Sequence, residues 1–153
     1  MEKRPGLALA FAGQIAGMRV QEAVRAHGIK NNQAHVLMVL ADQGATGQQA
    51  LAQTLGVDPS MLVAMLNDLE DAGLAERRRD PADRRRHIVE ISPRGTRLVT
   101  DIYDGIASAE AELFSALDAD ELDVLHKMLI RIRTTGGEPS CDAADTADTP
   151  DSL

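Results

Sequence analysis

Residues 51–95 read LAQTLGVDPSMLVAMLNDLEDAGLAERRRDPADRRRHIVEISPRG. The hydrophobic period changes partway along this stretch. Leu62, Met65, Leu66 and Leu69 recur at i, i+3, i+4 and i+7, which is the stripe of a helix buried on one side. Asp58 can cap that helix, and Pro59 suits its first position because proline has no N–H to leave unpaired. Gly73 ends it after about Ala72. Residues 74–78 and 87–91 then read as short strands, joined by a polar, proline-containing turn over 79–86. A short helix precedes the Gly56-Val57 turn. Ala52 is small enough to let the two helices approach, Gly56 allows the sharp turn, and Leu62 anchors the second helix. Two short helices and a tight turn, followed by a basic hairpin, form a winged helix-turn-helix.

Working outward, Thr46-Gly47-Gln48-Gln49 has the form of a capping box, with Gln49 reaching back to open the helix that ends near Leu55. Asn31 can cap a helix through about Ala41, which Gln43-Gly44 ends. Residues 7–27 carry Leu7, Phe11, Ile15 and Met18 at helical spacing, with Gly28 as the stop. Downstream, Ser92 caps and Pro93 starts a helix that can run through Leu117. Asp118 and Glu121 open a last helix to about Arg133. Residues 134–153 hold no Lys or Arg, five Asp/Glu and almost no large apolar groups, the composition of a disordered acidic tail.

The chain has 153 residues, 44% of them hydrophobic but only 2% aromatic, so its core must come from Leu, Ile, Val, Met and Ala. No apolar run approaches the ~18 residues of a membrane span, and a cytoplasmic location is expected. The net charge is −8. Its distribution is uneven: residues 73–100 hold eight Arg and four Asp/Glu, a net of +4, which leaves −12 for the rest. The cationic field is focused on the hairpin. Cys141 is the only cysteine, so no intrachain disulfide forms. His27, His35, His87 and His126 lack metal-ligand spacing. No phosphate loop, nucleophile elbow or paired catalytic carboxylate is present, so neither enzyme chemistry nor a cofactor or metal is expected.

The 51–95 stretch, above all RRRDPADRRRHIVEISPRG with Asp83-x-Arg85 and Ser92-Pro93-x-Gly95, resembles the multiple-antibiotic-resistance regulator (MarR) family. Flanking helices extend the resemblance over roughly residues 7–133. The resemblance implies a mainly α fold with a small β-hairpin. Residues 1–30 would form an N-terminal dimerisation helix, 31–95 the DNA-binding lobe, 96–133 the C-terminal dimerisation helices and 134–153 the tail. It implies a homodimer on a palindromic double-stranded operator, acting as a repressor. Arg85 would enter the minor groove, Arg84 and Arg86 would contact phosphate, and Asp83 would hold the wing in register. Many relatives bind a small aromatic or carboxylate effector, for which Gln14, Met18, His35 and Met38 would supply the walls. Peroxide-sensing relatives use a cysteine near the N-terminus, which this chain lacks.

The recognition helix departs from that pattern. Residues 58–72 contain no Lys or Arg, and Val63 and Ala64 stand where many relatives have Thr and Arg. Ser60, Met61, Val63, Ala64 and Asn67 lie off the core stripe and face outward, while Gln48, Gln49 and Gln53 can hold the DNA backbone from the preceding helix. With few donors or acceptors for base edges, the wing and DNA shape are expected to carry an unusually large share of the selectivity, and contact with thymine methyls can add some. An acidic chain with so bare a helix also fits a winged-helix interaction module that has lost sequence-specific DNA binding.

Overall fold

The computed structural model describes residues 4–136, the last three by backbone alone. The elements run α1 (Pro5–Arg25), α2 (Asn31–Gln43), β1 (Thr46–Gly47), α3 (Gln48–Leu55), α4 (Pro59–Asp71), β2 (Ala75–Arg79), β3 (His87–Ile91), α5 (Pro93–Leu113) and α6 (Ala119–Gly136). They divide into two compact units. Among the described residues, 29–101 form a winged-helix unit, and 4–28 together with 102–136 form a helical unit.

The winged-helix unit is built on an aliphatic core. Val36, Leu37, Leu40, Leu51, Leu62, Leu66 and Val89 are fully buried and pack in one cluster with Leu55, Met65, Leu69, Leu74 and Val99. The α4 stripe expected from the sequence is the buried stripe. Asp58 caps α4 by accepting from Ser60 N–H at 2.9 Å. Gly56 adopts the left-handed conformation (φ 65°) that the turn between α3 and α4 requires.

Other starts differ from expectation. Lys30, not Asn31, is the N-cap of α2, and its N–H donates to Gln33 Oε1 at 3.1 Å. The same Gln33 donates through Nε2 to Asp68 Oδ2 at 3.0 Å, so one buried glutamine both starts α2 and fastens it to α4. The Thr46/Gln49 capping box does not form. Thr46 Oγ1 donates instead to Gly44 O (2.9 Å), and Thr46 and Gly47 pair with Val89 and Ile88 as strand β1. The hairpin is thus part of a three-stranded antiparallel sheet, ordered β1-β3-β2.

The helical unit comprises α1, the later part of α5 and α6. α5 stops at Leu113 and not at Leu117, because residues 114–117 tighten into a turn in which Leu117 N–H donates to Phe114 O at 2.9 Å. The Asp118/Glu121 capping box then forms in both directions, at 2.9 and 3.0 Å. α6 continues to Gly136, past the expected end at Arg133. The remainder of the expected acidic tail, 137–153 with Cys141, lies outside the described residues. Among the described residues no helix is long and apolar enough to cross a membrane.

Candidate nucleic-acid interface

The wing is a hairpin whose tip is shaped by two aspartates. Asp80 Oδ1 accepts from Ala82 N–H (2.9 Å), and Asp83 Oδ1 accepts from Arg85 N–H (3.0 Å). Backbone bonds Asp80 N to Arg86 O and Arg86 N to Asp83 O, both 2.9 Å, close the loop. Arg79 donates to Arg84 O at 3.0 Å. Asp83 Oδ2 also lies 3.5 Å from Arg86 Nε, an exposed pair that holds the side chain only weakly. The guanidiniums of Arg84 and Arg85 are exposed and make no hydrogen bond or ion pair among the described residues. Asp83 therefore acts on Arg85 through its backbone, leaving the arginine's side chain free.

Arg77 ties the wing to the recognition helix, a link the sequence reading does not contain. Its backbone N–H donates to Glu70 Oε1 (2.8 Å) and its Nε to Glu70 Oε2 (3.0 Å). Its Nη2 is shared between that oxygen and Asn67 Oδ1, the latter at 2.5 Å. The Arg77 side-chain bond, foremost, holds the Glu70 carboxyl below the ordinary glutamate value. Arg78 on β2 donates to Glu90 Oε1 on β3 through Nε (3.0 Å) and Nη2 (2.6 Å), a cross-strand pair.

The Glu70 carboxylate thus binds its proton less readily folded than unfolded. Its contribution to stability is full above the unfolded pKa and is lost as pH falls through the lowered folded value. Arg77→Ala is expected to cost about 2 kcal/mol, since it removes charge-assisted bonds at a part-buried site. Glu70→Gln should flatten the stability–pH curve below the ordinary glutamate pKa. Urea titrations across that range check both, and an unchanged pH profile for Glu70→Gln would refute the link.

The residues expected to meet DNA fall on one unit. Gln48, Gln49 and Gln53 of α3, Pro59 of α4 and Arg85 and Arg86 of the wing line one cleft of about 530 Å³. Gln48 Oε1 is buried there without a hydrogen-bond partner among the described residues. On α4, Ser60, Met61, Val63 and Ala64 are all exposed. The Ser60 hydroxyl donates to Asp58 Oδ1 at 2.6 Å. Of the residues expected to face an effector, Gln14 and Met18 are exposed on α1, in the helical unit. His35 is exposed and Met38 half-buried on α2, in the winged-helix unit. No group of three or more metal-ligating side chains occurs among the described residues.

Residues 29–87 match the MarR family. The chain is 30% identical over 122 residues to a candidate transcriptional regulatory protein for the hcr operon of Thauera aromatica, covering 78% of this chain and 74% of that one. It superposes on wild-type MarR of E. coli in its apo form with a TM-score of 0.75 at 23% identity, over 87% of this chain and 98% of that one. A mutant MarR of E. coli complexed with operator DNA gives a TM-score of 0.69 at 24% identity, over 84% and 92%. A mostly helical chain with a small antiparallel wing, this match to the family and this relative identify the protein as a member of the MarR family of transcriptional regulators, and not an enzyme.

Proposed function

We propose that the protein is a homodimeric repressor that occupies a palindromic DNA operator, with α4 in the major groove and the wing tip in the minor groove. The observation that carries this is the free pair Arg84 and Arg85 at the hairpin tip, with the Arg85 backbone held by Asp83 beside the glutamine-lined cleft of α3. A cation presented on a rigid, narrow hairpin fits the negative potential of a narrow minor groove. Gln48 and Gln49 at the start of α3 then donate their side-chain NH2 groups to the flanking phosphates.

Dimerisation rests on the helical unit. Of the large apolar side chains left exposed among the described residues, all but Met61 and Val63 belong to it, including Leu7, Phe11, Ile15, Met128 and Ile132. α5 and α6 also enclose an apolar groove of about 820 Å³ lined by Phe114, Leu122, Leu125 and Leu129. Exposed apolar side chains on three helices call for a partner. A two-fold dimer places two recognition helices about one helical turn, ~10 bp, apart.

The test is selection of genomic fragments by the purified full-length protein, followed by binding titrations across salt. A palindrome should be enriched. Its affinity should fall linearly with salt on a logarithmic plot, because phosphate contacts release counterions. Sedimentation should give a dimer. Absence of salt-dependent binding to any fragment would replace this reading with that of a protein-interaction module.

A further inference from the structure

Several of the polar groups of the recognition helix are already engaged inside the protein. Ser60 donates its hydroxyl to the Asp58 cap. Asn67 Oδ1 and both Glu70 oxygens accept from Arg77, and Asp68 accepts from Gln33. The helix carries no Lys or Arg. Beside the exposed Ser60, Asn67, Asp68 and Asp71, the helix presents apolar side chains: Met61 at 41% and Val63 at 36% exposure, with Ala64 exposed between them on the helix surface. These two are the only large apolar side chains exposed in the winged-helix unit among the described residues. Of the groups on the major-groove edges of the bases, the one apolar group is the C5-methyl of thymine.

We propose that α4 reads its operator through thymine C5-methyl groups packed against Met61, Val63 and Ala64, in place of a hydrogen-bonded base code. The inference rests on the DNA-binding reading above and specifies what that site recognises: half-sites with thymines at the positions facing α4. Sequence choice is then divided. The helix recognises methyls in the major groove, and the wing recognises groove width.

Deoxyuridine separates the two. It lacks only the C5-methyl and leaves the minor-groove edge unaltered, so it removes the contact assigned to α4 and keeps the one assigned to the wing. Operator duplexes recovered by selection are remade with deoxyuridine at each half-site thymine, and affinity is measured by fluorescence anisotropy with the full chain. At thymines facing α4, each lost methyl should weaken binding about fourfold, the worth of one buried methyl-sized group. A symmetric pair should weaken it about fifteenfold. Met61→Ala and Val63→Ala, both at exposed sites, should weaken binding to the thymine operator and abolish the difference between thymine and deoxyuridine. Equal affinity for the two duplexes, with salt-dependent binding intact, would overturn the methyl reading and leave the regulator standing. Loss of the deoxyuridine penalty in neither variant would do the same. Failure to bind any duplex would remove both.

Discussion

Gly95→Ala is expected to destabilise the folded chain by about 3 kcal/mol or more, the upper range for forcing an extra methyl group into a close-packed site. A Cβ at this position would lie 2.1 Å from Leu74 O and 2.8 Å from Ile91 Cγ1. The carbonyl cannot withdraw cheaply, because it accepts from Ser92 N–H at 3.0 Å. Ser92, itself buried, donates its hydroxyl to Gly73 O (2.7 Å) and accepts from Gly95 N–H (3.0 Å). The Ser92-Pro93-x-Gly95 motif is therefore a clamp: it joins the end of α4, the start of β2 and the first turn of α5 at one corner. The sign of the effect discriminates. Gly95 lies in a helix, where alanine is ordinarily better by about 1 kcal/mol. Gly105→Ala is the control, since its Cβ would sit at an ordinary 3.5 Å from the Ala23 Cβ, and that variant should be neutral or slightly stabilised. For a chain of this size the Gly95 loss corresponds to a fall in Tm of roughly 6–12 °C. Thermal and urea denaturation followed by circular dichroism check it, and a Gly95→Ala protein as stable as the parent would refute the clamp.

That corner also shows which parts of the molecule were legible in the sequence. The elements read correctly are those whose determinants lie within a few residues. Asp58-Pro59 with the leucine stripe specifies α4, Asp118 with Glu121 specifies the start of α6, and β3 occupies the residues expected. The misreadings share a different cause. Thr46 was expected to cap α3, and as a local motif it fits. Its backbone is instead held by Val89, more than forty residues away, and a two-residue strand leaves no alternation to detect. Gln33 and Asp68 meet from two helices, and Arg77 reaches back seven residues to Glu70; neither pair has a spacing that signals contact. The motif around Gly95 was recognisable as a resemblance, but the reason for the glycine, the approach of Leu74 O, exists only in the fold. At the interface, the free arginines follow from the hairpin composition. The engagement of Ser60 and Asn67 within the protein does not, and it makes the recognition helix more apolar in effect than its residues suggest.

The second large effect is expected at the wing tip. Arg85→Ala should weaken operator binding by roughly 30- to 150-fold, taking about 1–1.5 kcal/mol for each of the two wings of the proposed dimer. Sequence preference should relax at the base pairs under the wing, where groove width is read. Three neighbouring arginines at the tip are held differently. Arg86 is shared with Asp83, and Arg84 contributes its carbonyl to Arg79 while its guanidinium stays free. Arg85 alone combines a free guanidinium with a backbone pinned by Asp83, and so loses least on insertion. Arg84→Ala, removing only the proposed phosphate contact, should weaken all sequences alike and lower the salt slope by about one per wing. Asp83→Ala should resemble a mild Arg85→Ala, because it frees the loop without removing the cation. Arg85→Lys should recover charge but not full preference, since an ammonium is more strongly hydrated than a guanidinium. Titrations of the four variants on the selected operator and on a scrambled duplex, at two salt concentrations, separate these cases. If Arg85→Ala and Arg84→Ala behave identically on both duplexes, the wing is a patch of charge and not a reader of the groove, and selectivity must reside wholly in α4.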